Sequence, residues 1–321
     1  MAQISAKRFT LYYFPTSYSS QKVLLSFYEK EVPFQPHLVN LFTGQQYAPW
    51  YIQLNASGLH VPVLRDGDHI ITNPSAIIDY IDKTCPTGES LVPDLTSDLG
   101  RNVASFRKKI DNVPVDILTY GILYHPNLSV SGCKLPGAVQ RSMKENFAKR
   151  LSVLSDLAAR NPDLHEGYVT RSQTAAQKYD IITDESQVRA ELEEVEKLFE
   201  ELEDQVRKTR EGSDDIAEAD ELWLFGPMFT IADISLAVLL SRMTLLGMEK
   251  CFFSPSSSPY LYNYFKQVQK RKAFKKVNEE IANIRSTVVW ENVKAASPYL
   301  AGISGTAVTL SLMFWLYKKL R

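Results

Sequence analysis

The chain has 321 residues, enough for two ordinary domains, with 45% hydrophobic and 23% charged residues and a formal net charge of −1. Those proportions exclude a disordered chain and a coiled-coil rod, and without an excess of basic residues no nucleic-acid partner is expected. Cys85, Cys133 and Cys251 are too few and too widely spaced for a disulfide framework or a CxxC metal site, which suits a reducing compartment.

The opening MAQISAKRFTLYYF has no apolar signal core, so no N-terminal leader is expected. FTLYYF (9–14) reads as a strand and PTSYS as a turn. SSQKVLLSFYEKE (19–31) reads as an amphipathic helix with Val23, Leu24, Phe27 and Tyr28 on one face. FQPHLVNL (34–41) is a second strand, and TGQQYAPWYIQLNASG (43–58) is a linker. In HVPVLRDGDHIIT (60–72), Asp66-Gly67 supplies a two-residue hairpin turn between apolar runs. A helix then begins with Asn73 as N-cap and Pro74 at its first position. The order strand, helix, strand, hairpin, helix defines a thioredoxin-like α/β unit over residues 1–88.

From Leu91 onward the strand period disappears and an all-helical second domain, 89–290, is expected. Its clearest element follows Asp184, which with Gln187 caps a long helix. Val188, Leu192, Val195, Leu198, Phe199, Leu202 and Val206 recur along it every three or four residues. SDDIAEADE (213–221) reads as an acidic loop. Thr230 and Asp233 have capping-box spacing ahead of a buried helix, a folding role for Asp233 rather than a catalytic one. A last helix, YLYNYFKQVQKRKAFKKV (260–277), carries Lys270, Arg271, Lys272, Lys275 and Lys276, which fit either a solvated face or a surface for anionic lipid.

Between Lys294 and Lys318 there is no charged residue, and YLAGISGTAVTLSLMFWLY closes on Lys318, Lys319 and Arg321. About 20 such residues cross the roughly 30 Å hydrocarbon layer as one helix. A single transmembrane helix over 298–317 is therefore expected. With so little chain after it, it enters the bilayer after translation and leaves the preceding domains in the cytosol, as a tail anchor. Ala301, Gly305 and Thr309 fall every fourth residue, a face on which two anchors can pack as a homodimer.

Val61-Pro62 before the hairpin, the NPSAII helix start and the Thr-Ile-Ala-Asp box resemble cytosolic glutathione transferases from about Phe9 to Val277. Within them the stretches SYSSQKVLL, VDILTYGILYHPNL and NPDLHEGY, a charged insertion at about 134–215 and the C-terminal anchor resemble the ganglioside-induced differentiation-associated protein 1 family. The fold class this implies is an α/β thioredoxin-like N-terminal domain plus an all-α glutathione-transferase C-terminal domain, followed by a single C-terminal transmembrane helix. It also implies a tail-anchored protein of the mitochondrial outer membrane bilayer, also on peroxisomes, that promotes organelle fission with partners the sequence does not identify.

The same resemblance carries site roles. Ser17 takes the place of the hydroxyl that bonds the glutathione sulfur and favours its thiolate, at the start of a helix whose dipole also favours an anion. Ser17, Ser19 and Ser20 are equally well explained as turn and cap residues. Val61-Pro62 resembles the cis-proline turn whose backbone pairs with the cysteinyl part of glutathione, although Asn55 to Pro62 holds one residue more than the common NPxGxVP spacing. Where transferases hold the γ-glutamyl end with an acid-serine pair, this chain has Asn73-Pro74, followed by Ser75, whose hydroxyl could recover part of the contact. The expectation is weak glutathione binding without ordinary conjugation. The alternative is a membrane-bound transferase using Ser17. His37, His60, His69, His125 and His165 lack metal-ligand spacing and read as structural or exposed.

Overall fold

A computed structural model describes residues 8–55, 61–212 and 221–284. Residues 1–277 form one compact unit and 278–321 a second, of which 278–284 are described and helical.

The first half contains β1 (Phe9–Tyr13), α1 (Tyr18–Glu29), β2 (Gln35–Leu38), α2 (Pro49–Leu54), β3 (Val63–Asp66), β4 (His69–Ile71) and α3 (Pro74–Thr84). The sheet order is β2-β1-β3-β4, with β1 and β2 parallel and the other pairs antiparallel. This is the thioredoxin-like arrangement expected. Two local readings change. Asp66 pairs with His69, so the hairpin loop is Gly67-Asp68, and the positive φ of 60° falls on Gly67 at the first central position. The stretch 43–58 is not a plain linker: it contains α2, with Pro49 at its first position and Tyr51 and Ile52 buried.

The second half is helical: α4 (Asp98–Asp111), α5 (Val115–Tyr124), α6 (Gly137–Arg160), α7 (His165–Thr183), α8 (Glu185–Glu211), α9 (Ile231–Leu245), α10 (Glu249–Phe252) and α11 (Pro259–Val268). α8 turns Val188, Val195, Phe199, Leu202 and Val206 inward and is capped by Asp184, which accepts from the amides of Ser186 and Gln187. α9 is predominantly apolar and almost wholly buried, so it forms the spine of the core. Asp233 in its first turn is enclosed. Burial pushes its pKa up, while the amides of Leu224 and Thr230 and the hydroxyls of Thr230 and Tyr264 all donate to it at 2.8 Å.

The region read as a charged insertion folds as α6, α7 and α8. Ile52 of α2 packs against Leu154 and Ala158 of α6 and Tyr168 and Ala175 of α7. Tyr168 donates to the Tyr47 carbonyl at 2.8 Å, and Arg171 donates to the Asn55 carbonyl at 2.6 Å. These contacts tie α2 to the second half. The helix read over 260–277 is interrupted: α11 ends at Val268 and helical backbone resumes at Lys272. Residues 213–220 of the acidic loop, residues 56–60 before Val61 and the expected anchor (298–317) lie outside the described residues. Among the described residues no helix is long and apolar enough to cross a membrane.

Candidate functional site

The turn between β1 and α1 places Ser17 in extended backbone at the N-cap of α1. Its oxygen accepts from the Ser20 amide at 3.4 Å, and its hydroxyl donates to the Val61 carbonyl, also at 3.4 Å. The Val61-Pro62 peptide is cis. The fold thus brings Ser17 and Val61-Pro62 together from positions far apart in sequence. The same turn is fixed from the second half, because Arg242 of α9 donates to the Thr16 carbonyl at 3.0 Å.

Asn73 sits at the surface as N-cap of α3, accepting from the Ala76 amide at 3.0 Å, with Pro74 at the first helical position. Its side chain is occupied by its own helix. Ser75 does not face a vacancy left by Asn73 and Pro74: its hydroxyl donates to Asp111 of α4 at 2.8 Å. The ends of transferase-bound glutathione that the resemblance assigns to these positions therefore fare differently. The backbone turn beside Ser17 is present. The start of α3 offers neither a charge, nor a proline amide, nor an uncommitted Ser75 hydroxyl.

Asp111 was missed at the sequence level and is the hub of this region. It accepts from Lys22 of α1, Ser75 of α3 and Ser235 of α9, each at 2.8 Å, with the Arg107 guanidinium 3.7 Å away. Burial works against its carboxylate, yet the Lys22 charge and hydrogen bond, with the two hydroxyls, outweigh it and hold the pKa below the ordinary value. Two signals could have found it. Lys22 directly precedes the apolar run Val23-Leu24-Leu25 in α1, where a buried charge needs a partner, and Asp111 ends a helix whose dipole disfavours an acid there.

Tyr18, the next residue after Ser17, adds a further polar group. Its hydroxyl is buried without a hydrogen-bond partner among the described residues, and burial drives its pKa far up. Lys22 lies 5.1 Å from its ring centroid and Arg242 lies 5.9 Å away. A buried, unpaired hydroxyl costs about 1–3 kcal/mol, a cost that a hydrogen-bonding partner would offset. An open groove of about 330 Å³ lies elsewhere, lined by Glu185, Ser186, Arg189, Ala190 and Glu193 of α8; none of the five expected site residues lines it.

Comparison with known proteins agrees with this architecture. Residues 11–89 match the family description glutathione S-transferase, N-terminal domain, and residues 185–267 match glutathione S-transferase, C-terminal domain. α4 to α7 lie between the matched stretches. Ganglioside-induced differentiation-associated protein 1-like 1 of Homo sapiens is 31% identical over 96% of this chain and 86% of its own length. Glutathione S-transferase TCHQD of Arabidopsis thaliana is 26% identical over 83% of this chain and 88% of its own length. Among solved structures, beta-etherase LigF from Sphingobium sp. strain SYK-6 aligns with a TM-score of 0.58 at 17% identity, over 85% of this chain and 100% of that one. Ure2p in complex with glutathione aligns at 0.57 and 15% identity, over 86% and 100%. At such identities these two alignments show the fold alone.

Proposed function

Because the chain belongs to the ganglioside-induced differentiation-associated protein 1 family, within the glutathione S-transferases, we propose that it is a transferase-shaped factor of the outer mitochondrial membrane. On this reading its C-terminal segment anchors it, and it promotes division of mitochondria and peroxisomes without ordinary glutathione conjugation.

The observation that carries the non-conjugating part is the Ser75–Asp111 bond beside Pro74. A γ-glutamyl group arriving there loses two charge-assisted hydrogen bonds. At about 1.5–3 kcal/mol each, their loss weakens binding by roughly two to four orders of magnitude. Freeing the Ser75 hydroxyl to regain part of this would break its 2.8 Å bond to Asp111. The membrane part is supported by the uncharged stretch between Lys294 and Lys318 and by the family membership.

Expressing the full chain, and the chain lacking residues 298–321, in cells tests the assignment. The full chain is expected to shorten mitochondria and the truncated one is not; unchanged mitochondrial length in both overturns it. A second reading, a membrane-bound transferase, is favoured by Ser17 beside Val61-Pro62 and by the orphaned Tyr18 hydroxyl. Calorimetric titration with glutathione separates the two. Millimolar binding or none removes the second reading, whereas micromolar binding that Ser17→Ala abolishes supports it.

A further inference from the structure

The lysines after α11 point to a contact that the transferase fold itself does not require. Residues 259–277 contain six basic residues and no acid in a chain whose net charge is −1. One of the six is not available to solvent partners. Arg271 forms a paired hydrogen bond with both carboxylate oxygens of Glu29 at 2.7 Å, and its guanidinium lies 4.0 Å and 4.6 Å from the Phe229 and Trp223 ring centroids. This clamp fixes the rotation of the helical turns that begin at Lys272. Ala273, Phe274 and Val277 are buried, and Phe274 meets Phe265 edge-on at 6.1 Å. Lys272, Lys275 and Lys276 are exposed and fall at the three- and four-residue spacing of a single helical face.

The surface cations of α8 differ. Arg189, Lys197 and Arg207 each pair with an acid one turn away. No ion pair to Lys272, Lys275 or Lys276 occurs among the described residues; Lys276 lies 5.5 Å from the Tyr28 ring. The face carries three cations without an ion pair among the described residues and lies, in sequence, shortly ahead of Glu279, Glu280 and then the uncharged C-terminal stretch.

We propose that Lys272, Lys275 and Lys276 form a docking surface for the anionic phospholipid headgroups of the bilayer that receives the chain's own C-terminal segment. This inference rests on the membrane reading above. Lipid is favoured over an acidic protein because three exposed ammonium groups on one helical face, in sequence shortly ahead of an uncharged stretch, suit a fluid layer of negative charge. Each basic residue near such a surface strengthens partitioning about fivefold, so three together are worth on the order of a hundredfold at low salt.

The full chain, reconstituted in vesicles of phosphatidylcholine alone or mixed with phosphatidylserine, tests the proposal through lysine acylation rates read by mass spectrometry. Acylation of Lys272, Lys275 and Lys276 is expected to slow several-fold on the mixed vesicles and to recover at high salt, while exposed Lys197 is unchanged. The variant Lys272→Gln/Lys275→Gln/Lys276→Gln is expected to lose most of the preference for mixed vesicles in its rate of capture, while remaining carbonate-resistant once inserted. Full carbonate resistance with identical acylation on both vesicles overturns the docking surface and leaves the anchor standing. Loss of the protein from both vesicles in carbonate overturns the membrane reading and the docking surface together. Protection by soluble polyglutamate, with none from vesicles, assigns the face to an acidic protein and also overturns the proposal.

Discussion

Replacing Asp111 with alanine tests whether one carboxylate joins the two halves of the molecule. The side chain accepts from Lys22 in α1, Ser75 in α3 and Ser235 in α9, all at 2.8 Å. The Lys22 and Asp111 side chains are 6% and 18% exposed, so solvent repays little when the pair is broken. Stranding one member of a buried pair costs about 3–5 kcal/mol. The two hydroxyls can turn toward other acceptors and add about 1 kcal/mol or less each. Against a total stability of about 5–15 kcal/mol this is a large fraction. Urea unfolding is expected to show a lower midpoint at unchanged slope. The double variant Lys22→Met/Asp111→Leu, which removes both charges and fills the space, is expected to recover most of the loss. The pH dependence has a definite sign. Because the folded pKa of Asp111 is depressed, its contribution is complete above the ordinary carboxylate value near 4 and fades as pH falls through the lower folded value. A cost below about 1 kcal/mol for Asp111→Ala, the scale of a surface ion pair, would refute the hub. So would a double variant that costs the sum of its singles.

Gly247 has a φ of +74°, and a Cβ there would stand 2.2 Å from the Gly132 carbonyl oxygen and 2.6 Å from Ser129 Oγ; Gly247→Ala is expected to cost about 2–4 kcal/mol by thermal unfolding. Arg271→Ala is expected to destabilise by about 1–3 kcal/mol, and Arg271→Lys to rescue little, because an ammonium reproduces neither the paired Glu29 bond nor the stacking on Trp223 and Phe229. The Ser186 and Gln187 side chains and the Ser186 amide hold the Asp184 carboxyl down to about 2, so carbon-detected NMR is expected to find it titrating there; its cap on α8 is complete above the ordinary carboxylate value and is lost as pH falls through about 2. Asp233→Ala leaves two amides and two hydroxyls without their acceptor in the core and is expected to prevent stable folding, seen as loss of soluble protein.

Local chemistry alone set much of this protein. Strand alternation in FTLYYF, the Asn73-Pro74 start of α3, the Asp184 cap and the Thr230–Asp233 box each act within a few residues, where side chain and backbone meet whatever the rest of the chain does. Those features located the sheet and the helices, while Ser17 and Val61-Pro62 stand out only through the resemblance to glutathione transferases. Tertiary structure decided what depends on neighbours distant in sequence. α2 forms within a stretch that reads as a linker because Ile52 has α6 and α7 to pack against. α1 is buried well beyond its apolar face because α3 and α9 pack against it, and Lys22 is tolerated there only because α4 delivers Asp111. Ser75, which in sequence looks free to replace a lost ligand contact, is committed to that same carboxylate, and Arg271, which looks like one more surface cation, is drawn onto Glu29 and two aromatic rings. Helical period and caps are short-range, so the sequence displays them. The pairing of a buried charge is a meeting between distant segments, and only the assembled fold determines who the partner is.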